Sequence, residues 1–362
     1  MSGSAQFLSP SEAARRLGVS IKALRLYEQR GLLEPARSAA GWRAYGPEQM
    51  ARGGQIAALR TLGLSLGQVA RALEGDARDL EPALAAHQAA LEGQIREFSS
   101  RIEKAGRLRA GLARGDAPPI DELARLLGRD AAPIIEFELP WPWGGERFEL
   151  AELRQLNYIV GPLGSGKTRL AMRLADRLPD AEFLGLDRLV DGAAQAALAA
   201  DPILRSRVDA ALAWLIDDGA TVSDALILLL AALEAESPAI LVVDMVEQGL
   251  DEDTQGALIA RLRRRGAGAR PLILMTRSCA ILDLAAVGPD EAIIYCPANH
   301  SVPMFVAAHP GAPGYEAVAT CLAPPDVRAR TEGMIAWRPD AASRQTALDG
   351  NAAVASHPNI SA

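Results

Sequence analysis

Lysine and cysteine are both scarce in this chain of 362 residues. Lysine occurs three times among 38 basic residues, so nearly all the positive charge is arginine. Its three cysteines, Cys279, Cys296 and Cys321, lie far apart and show none of the short spacings of a metal site. That pattern predicts structural thiols in a reducing cytoplasm, without a disulfide framework or a cysteine metal centre.

Long apolar runs are also missing. The longest, residues 225–233, is far shorter than the roughly 20 residues that span a bilayer. Residues 1–7 carry no basic and apolar pattern of a secretion signal. We therefore expect a cytoplasmic protein with no membrane partner, and a chain of this length usually folds into two or three domains.

Charge is unevenly distributed along the chain. The net charge is −7, which by itself argues against nucleic acid as a partner. Residues 1–60, however, carry nine basic and four acidic residues, so the remainder of the chain is strongly acidic. A basic module on an acidic body is typical of a DNA-binding head.

The basic module predicts two short helices joined by a tight turn. Ser9-Pro10-Ser11-Glu12 is typical of a helix start with a capping box, and this helix runs to Leu17. Gly18-Val19-Ser20 forms the turn, and Ser20 caps a second helix over residues 21–30. The pattern predicts a helix-turn-helix whose second helix offers polar donors to a DNA groove. A helix-turn-helix used for protein contacts alone is the alternative.

A small hairpin follows over residues 37–45. The run from Leu24 to Arg37, then Gly41-Trp42-Arg43-x-Tyr45 and Leu59-Arg60-x-Leu62-Gly63-Leu64-Ser65-Leu66, resembles the winged helix-turn-helix of MerR-type regulators. The resemblance covers residues 6–115. It implies a dimer that binds and distorts a near-palindromic promoter in double-stranded DNA. The candidate DNA-contacting residues are Ser20, Lys22, Arg25, Tyr27, Arg37, Trp42, Arg43 and Tyr45.

A long amphipathic helix is predicted next. Between residues 80 and 112, apolar residues recur every three or four positions, as in a coiled-coil seam. Its opposite side is polar, so the seam needs a partner. In MerR-type proteins the same helix of a second chain covers it, which implies a homodimer.

The second half of the chain contains a phosphate-binding motif. Gly161-Pro162-Leu163-Gly164-Ser165-Gly166-Lys167-Thr168 fits G-x-x-x-x-G-K-[ST], with a buried strand before it and a helix after it. Gly161, Gly164 and Gly166 let the backbone and Ser165 wrap the phosphates of ATP. Lys167 would reach the β- and γ-phosphates, and Thr168 would hold Mg²⁺. Since lysine is so rare here, its presence at this position argues against a chance match.

A second apolar strand, residues 240–243, ends in Asp244, where a carboxylate is expected to orient Mg²⁺. The continuation to Gly249-Leu250-Asp251, and the later strand ending in Thr276-Arg277-Ser278, resemble ABC-type ATPases of the soluble kind related to DNA repair and structural maintenance. The resemblance spans residues 134–306. Ser223 stands at the place of their signature motif. The resemblance implies that Ser223 of one chain contacts the γ-phosphate of a nucleotide bound by a second chain. The alternative is that Ser223 only caps a helix.

At two positions that matter for ATP hydrolysis, this sequence differs from the ABC-type ATPase pattern. Met245 replaces the catalytic glutamate and Arg277 replaces the switch histidine. A thioether accepts no proton from water, and losing a positioned base lowers a rate by roughly 10²–10⁴-fold. Glu247 is a candidate substitute base, and Arg277 a candidate γ-phosphate sensor or else a surface residue. The sequence predicts ATP and Mg²⁺ binding with at most slow ATPase activity.

These patterns predict a multidomain α/β chain. We expect a winged helix-turn-helix over residues 1–75, a dimerisation helix over 76–115, a linker over 116–133, an ABC-type P-loop domain over 134–338 and a disordered tail over 339–362. The favoured function is a transcriptional regulator controlled by nucleotide binding. The alternative is a DNA-maintenance or defence ATPase that uses its head to localise on DNA.

Overall fold

The structure is a computed structural model that describes residues 7–37, 41–114, 135–190, 192–265 and 269–324. The whole of the predicted linker, residues 116–133, and the predicted tail, residues 339–362, lie outside these ranges. Among the described residues, no helix is long and apolar enough to cross a membrane.

The N-terminal part, called the head here, is built from helices and a two-stranded wing. Its helices are α1 (Pro10–Leu17), α2 (Ile21–Gln29), α3 (Pro47–Thr61), α4 (Leu66–Leu73) and the 34-residue α5 (Leu80–Ala113). The wing strands β1 (Ala36–Arg37) and β2 (Arg43–Ala44) pair antiparallel. The predicted helix-turn-helix, wing and long helix are all present.

Local sequence explains how the head's first helices begin. The Ser9 side chain accepts from the Glu12 amide and the Glu12 carboxylate accepts from the Ser9 amide at 2.9 Å, a complete capping box at α1. Gly18, at φ +68°, ends α1 in the left-handed conformation, and Ser20 caps α2. The turn that separates the two helices is therefore fixed by these few residues.

The C-terminal part, called the nucleotide domain here, is built on a six-stranded sheet. Its strands are β5 (Leu156–Val160), β6 (Ala181–Leu184), β7 (Ile240–Val243), β8 (Leu272–Met275), β9 (Glu291–Tyr295) and β10 (Met304–Phe305). They are arranged in the order β10-β9-β5-β8-β7-β6, and all neighbours run parallel except the β10–β9 pair. A separate hairpin joins β3 (Ile135–Glu138) to β4 (Arg147–Leu150).

Helices cover both faces of this sheet. One core cluster contains Leu156, Tyr158 and Val160 of β5, and the cluster on the other face contains Ile159 of the same strand. Because both faces are covered, β5 is buried at every position, as expected for a central parallel strand. The helices are α6 (Lys167–Arg177), α7 (Ala193–Ala200), α8 (Pro202–Asp217), α9 (Asp224–Glu234), α10 (Glu252–Arg263) and α11 (Tyr315–Cys321).

Candidate functional site

The phosphate-binding motif forms a glycine-dependent loop between β5 and α6. Gly164 and Gly166 adopt φ values of +79° and +90°, in the left-handed region that glycine tolerates. A Cβ on Gly161 would lie 2.3 Å from the Cys296 carbonyl oxygen, and one on Gly166 would lie 2.5 Å from the Trp143 ring. The backbone thus curls tightly at the start of α6, where a helix N-terminus favours anions.

Lys167 is held against this loop. Its Nζ donates to the carbonyl oxygens of Gly161 at 2.8 Å and Pro162 at 2.7 Å. Burial lowers the pKa of Lys167 to about 8. The amine therefore lies across the loop, and Thr168 follows as the second residue of α6.

Asp244 lies at the carboxyl end of β7, two strands from β5. It is buried, and burial raises its pKa to about 6 while the charges of Arg188 and Lys167 oppose that rise. Its Oδ1 and the Oγ of Ser165 are buried without a hydrogen-bond partner in the described part of the chain. Buried polar atoms normally have partners, and a carboxylate is a preferred Mg²⁺ ligand. The residues present therefore fit ATP with Mg²⁺.

Arg188 is a residue that the sequence reasoning missed. It is buried, and its guanidinium donates to the carbonyl oxygens of Gly185 at 2.9 Å, Asp244 at 2.7 Å and Met245 at 2.9 Å. Met245 has φ +44°, which is uncommon for a residue with a side chain. Arg188 thus fixes the turn after β7. Its place just after β6 was the available signal, since parallel neighbours end at the same sheet edge.

Glu247, the candidate substitute base, and Arg277, the candidate γ-phosphate sensor, lie next to each other. The buried Glu247 accepts from the backbone amide of Arg277 at 3.0 Å through its Oε1. Both charges act on the pKa of Asp244, Glu247 raising it and Arg277 lowering it. The two residues therefore share one electrostatic neighbourhood with Asp244, and their catalytic roles stay predictions.

Ser223 is the N-cap of α9. Its Oγ accepts from the Leu226 amide at 3.2 Å, which is the simple cap that the sequence left open. A Cβ on Gly249 would lie 2.8 Å from the Cβ of Ala225, so the signature position and the Gly249-Leu250-Asp251 turn are neighbours. The contact of Ser223 with a nucleotide across a chain pair stays a prediction.

The predicted DNA-contacting residues at the start of α2 and along it differ in exposure and in the partners they already have. Ser20 accepts from the Ala23 amide at 3.1 Å as a helix cap, Arg25 is exposed, and Lys22 pairs with Glu252 of the nucleotide domain at 3.1 Å. Tyr27 is buried in the head, where burial raises its pKa. Its burial favours a packing role over a groove contact.

The wing residues also divide into two groups. Trp42 is 76% exposed, Arg37 donates to the Gly41 carbonyl oxygen at 3.1 Å, and Arg43 pairs with Glu28 at 2.7 Å. Tyr45 is buried, and burial and its hydrogen bond to Glu28 raise its pKa. The wing therefore presents Arg37, Trp42 and Arg43 at the surface while Tyr45 anchors it to the core.

Part of the chain is similar to known proteins. Residues 8–76 match the family described as MerR HTH family regulatory protein. A probable heavy metal-dependent transcriptional regulator of Haemophilus influenzae is 37% identical over 101 residues, covering 26% of this chain and 79% of that protein. The chain belongs, through its head, to the MerR helix-turn-helix regulator family.

Two solved structures each resemble a portion of the chain. HiNmlR, a MerR family regulator that lacks the sensor domain and was crystallised on promoter DNA, is 23% identical with a TM-score of 0.24, covering 31% of this chain and 92% of that one. The SMC head domain from Thermotoga maritima is 12% identical with a TM-score of 0.32, covering 47% of this chain and 95% of that one.

Proposed function

We propose that this protein is a DNA-binding transcriptional regulator whose activity is set by ATP binding, with slow or absent hydrolysis. The MerR-type head supplies the DNA reader. The nucleotide domain supplies Gly161, Gly164, Gly166 and Ser165 for the phosphates, Lys167 for their charge, and Thr168 with Asp244 for Mg²⁺. The proposal combines a reader and a sensor in one chain.

The observation that carries the proposal is the residue after Asp244. Met245 offers a thioether at the position where the resemblance expects a general base, and Arg188 fixes the backbone there through two carbonyl oxygens. Glu247 is engaged by the Arg277 amide at 3.0 Å. A site that binds nucleotide without a positioned base suits a sensor better than a motor, because a motor needs turnover.

Dimerisation through α5 is part of the proposal. Along this helix Leu91, Ile95 and Ile102 are 46%, 63% and 71% exposed in the single chain. A seam of this length needs a partner helix, and a second copy offers an identical one. A two-fold pair of heads would match the two half-sites of a near-palindromic promoter.

In such a dimer, nucleotide binding would be coupled to DNA binding. Bound ATP with Mg²⁺ would supply binding energy that differs between open and closed arrangements of two nucleotide domains. Ser223 is the residue proposed to meet that nucleotide from the second chain. Such a difference in affinity is the coupling energy that a regulator needs.

The test is a gel-shift on the chain's own upstream DNA with and without ATP and Mg²⁺. We expect sequence-selective binding that nucleotide alters, and loss of the nucleotide effect in Lys167→Ala with basal DNA binding kept. Calorimetry should show ATP binding by the wild-type chain and not by the variant. Sequence-blind binding with DNA-stimulated hydrolysis would instead support a maintenance ATPase.

A further inference from the structure

We infer that an acidic surface of the nucleotide domain is a docking site for the chain's own DNA-reading head and covers the start of its recognition helix, α2. The acidic surface is formed by Asp217 and Asp218 at the end of α8 and by Glu252 and Asp253 at the start of α10. Its contacts fall into an inner group and an outer group.

The inner group consists of the buried Asp218 and the partly exposed Asp217. Asp218 is 3% exposed and receives Arg60 through both guanidinium ends, at 2.6 and 3.3 Å, together with the Leu66 amide at 2.7 Å. Asp217 accepts from Arg71 at 3.0 and 3.3 Å and from the Ser65 hydroxyl. Paired arginine–carboxylate bonds of this kind are among the strongest and most directional in proteins. The inner group therefore anchors the head.

The position of Asp217 and Asp218 at a helix end supports their role as a docking contact for the head. Asp217 is the last residue of α8 and Asp218 is its C-cap, where the helix dipole disfavours negative charge. Both face the start of α4, where Ser65 is the N-cap and negative charge is favoured. The head thus compensates a charge arrangement that would be unfavourable on the nucleotide domain alone.

The outer group holds residues of the DNA reader. The Lys22 ammonium lies 3.1 Å from a Glu252 carboxylate oxygen and is itself buried, although its side chain is 42% exposed. Arg30, the C-cap of α2, lies 3.5 Å from Asp253 and donates to the Gly219 carbonyl oxygen at 3.3 Å. Both pairs are partly exposed, and such ion pairs contribute little each. The outer group is therefore the part that separates first.

DNA and the acidic surface compete for Lys22. Helix-turn-helix proteins contact bases with the N-terminal residues of the recognition helix, and Lys22 is the second residue of α2. Its ammonium cannot meet a base edge or phosphate while it faces Glu252. This step rests on the proposed DNA-binding function.

The acidic surface also adjoins the segments proposed to meet nucleotide. Glu252 directly follows Asp251, and the Thr254 hydroxyl accepts from the Thr221 amide at 2.8 Å. Thr221 lies two residues before Ser223. Pairing of two nucleotide domains through Ser223 would therefore act on backbone next to the docked head.

The contact itself is tested by amine-reactive labelling of the full-length chain without DNA, read by mass spectrometry. The chain has three lysines, Lys22, Lys104 and Lys167, and the exposed Lys104 is an internal standard. Glu252→Gln with Asp253→Asn should raise the labelling rate of Lys22 relative to Lys104 by about threefold or more. An unchanged ratio would overturn the inference whatever the DNA result.

The consequence of docking, that Lys22 is masked from DNA, is tested by measuring DNA affinity. The same double variant should bind promoter DNA roughly three- to tenfold more tightly than the wild-type chain. A matched control, Asp209→Asn with Glu236→Gln, removes two exposed acids elsewhere on the same domain and should have a smaller effect. Equal gains in both variants would mean general charge repulsion and would overturn masking. Absence of DNA binding in every variant, with Lys22 labelling still raised, would overturn the proposed function and leave docking in place.

Discussion

The head and the nucleotide domain place their charges in opposite ways. Every buried charged side chain among the described residues belongs to the nucleotide domain; these are Lys167, Arg188, Asp218, Asp244, Glu247 and Glu291. In the head, arginines such as Arg25 and Arg37 are exposed. Burying charge is costly unless it is paired or bound. Glu291 is paired with Arg263 inside the nucleotide domain and Asp218 with Arg60 of the head, whereas Oδ1 of Asp244 has no hydrogen-bond partner among the described residues. Arg25 and Arg37 stay accessible, whereas Arg60 and Arg71 of the head are paired with Asp218 and Asp217.

The largest predicted effect concerns ATP turnover in the nucleotide domain, which a buried charge introduced next to Asp244 should restore. Met245→Glu should raise ATP hydrolysis by roughly 10²–10⁴-fold, because it places a general base next to Asp244. A steady-state phosphate-release assay measures it, with Met245→Gln as the control that adds a polar group but no base. Ordinary turnover in the wild-type chain that survives Glu247→Ala would contradict the sensor proposal.

The next effect concerns the buried charge that serves the head. Asp218→Ala leaves Arg60 and the Leu66 amide without their partner, so we expect the free energy of unfolding to fall by about 3–5 kcal/mol. Denaturant titration measures the change. Asp209→Ala, an exposed acid on the same helix, is the control and should stay within about 0.5 kcal/mol of wild type. Equal effects would show that Asp218 is not an anchor.

The exposed charges of the head should matter for DNA and not for folding. Arg25→Ala should weaken promoter binding by roughly 1–3 kcal/mol, because α2 is the element proposed to enter the groove. A fluorescence-anisotropy titration measures the affinity. Arg78→Ala, which removes an 82% exposed arginine before α5, is the charge-matched control. Similar losses in both variants would indicate a purely electrostatic effect.

The smallest effect is a pH dependence of stability that Asp244 should contribute. Burial raises the pKa of Asp244 from 3.8 to about 6, so between these values the folded protein binds more protons than the unfolded chain. Ionising Asp244 therefore opposes folding, and stability should fall as pH rises towards 6, by at most about 1.4 kcal/mol per pH unit. Asp244→Asn should flatten this slope in unfolding experiments without nucleotide. An unchanged slope would assign the pH dependence to other groups.

Local patterns predicted much of the fold. The capping box at Ser9, the wing, the long helix and the strand before Gly161 were all predicted, since each depends on residues close in sequence. The phosphate-binding loop and Asp244 were identified as candidates from motif spacing, and Glu247 and Arg277 from the family resemblance, but their contact with each other was not predicted. The exposure of individual side chains was not. Tyr27 and Tyr45 were grouped with DNA contacts, yet the structure buries both rings.

The sequence alone determined the order of parts: a MerR-type reader, an amphipathic helix and a loop suited to phosphates. Only the tertiary structure decided that Arg188 fixes the turn at Met245 and that Asp218 receives Arg60. These contacts join residues that are 57 and 158 positions apart. No local spacing encodes such pairs, because they depend on which sheet edge or helix end the whole chain brings together.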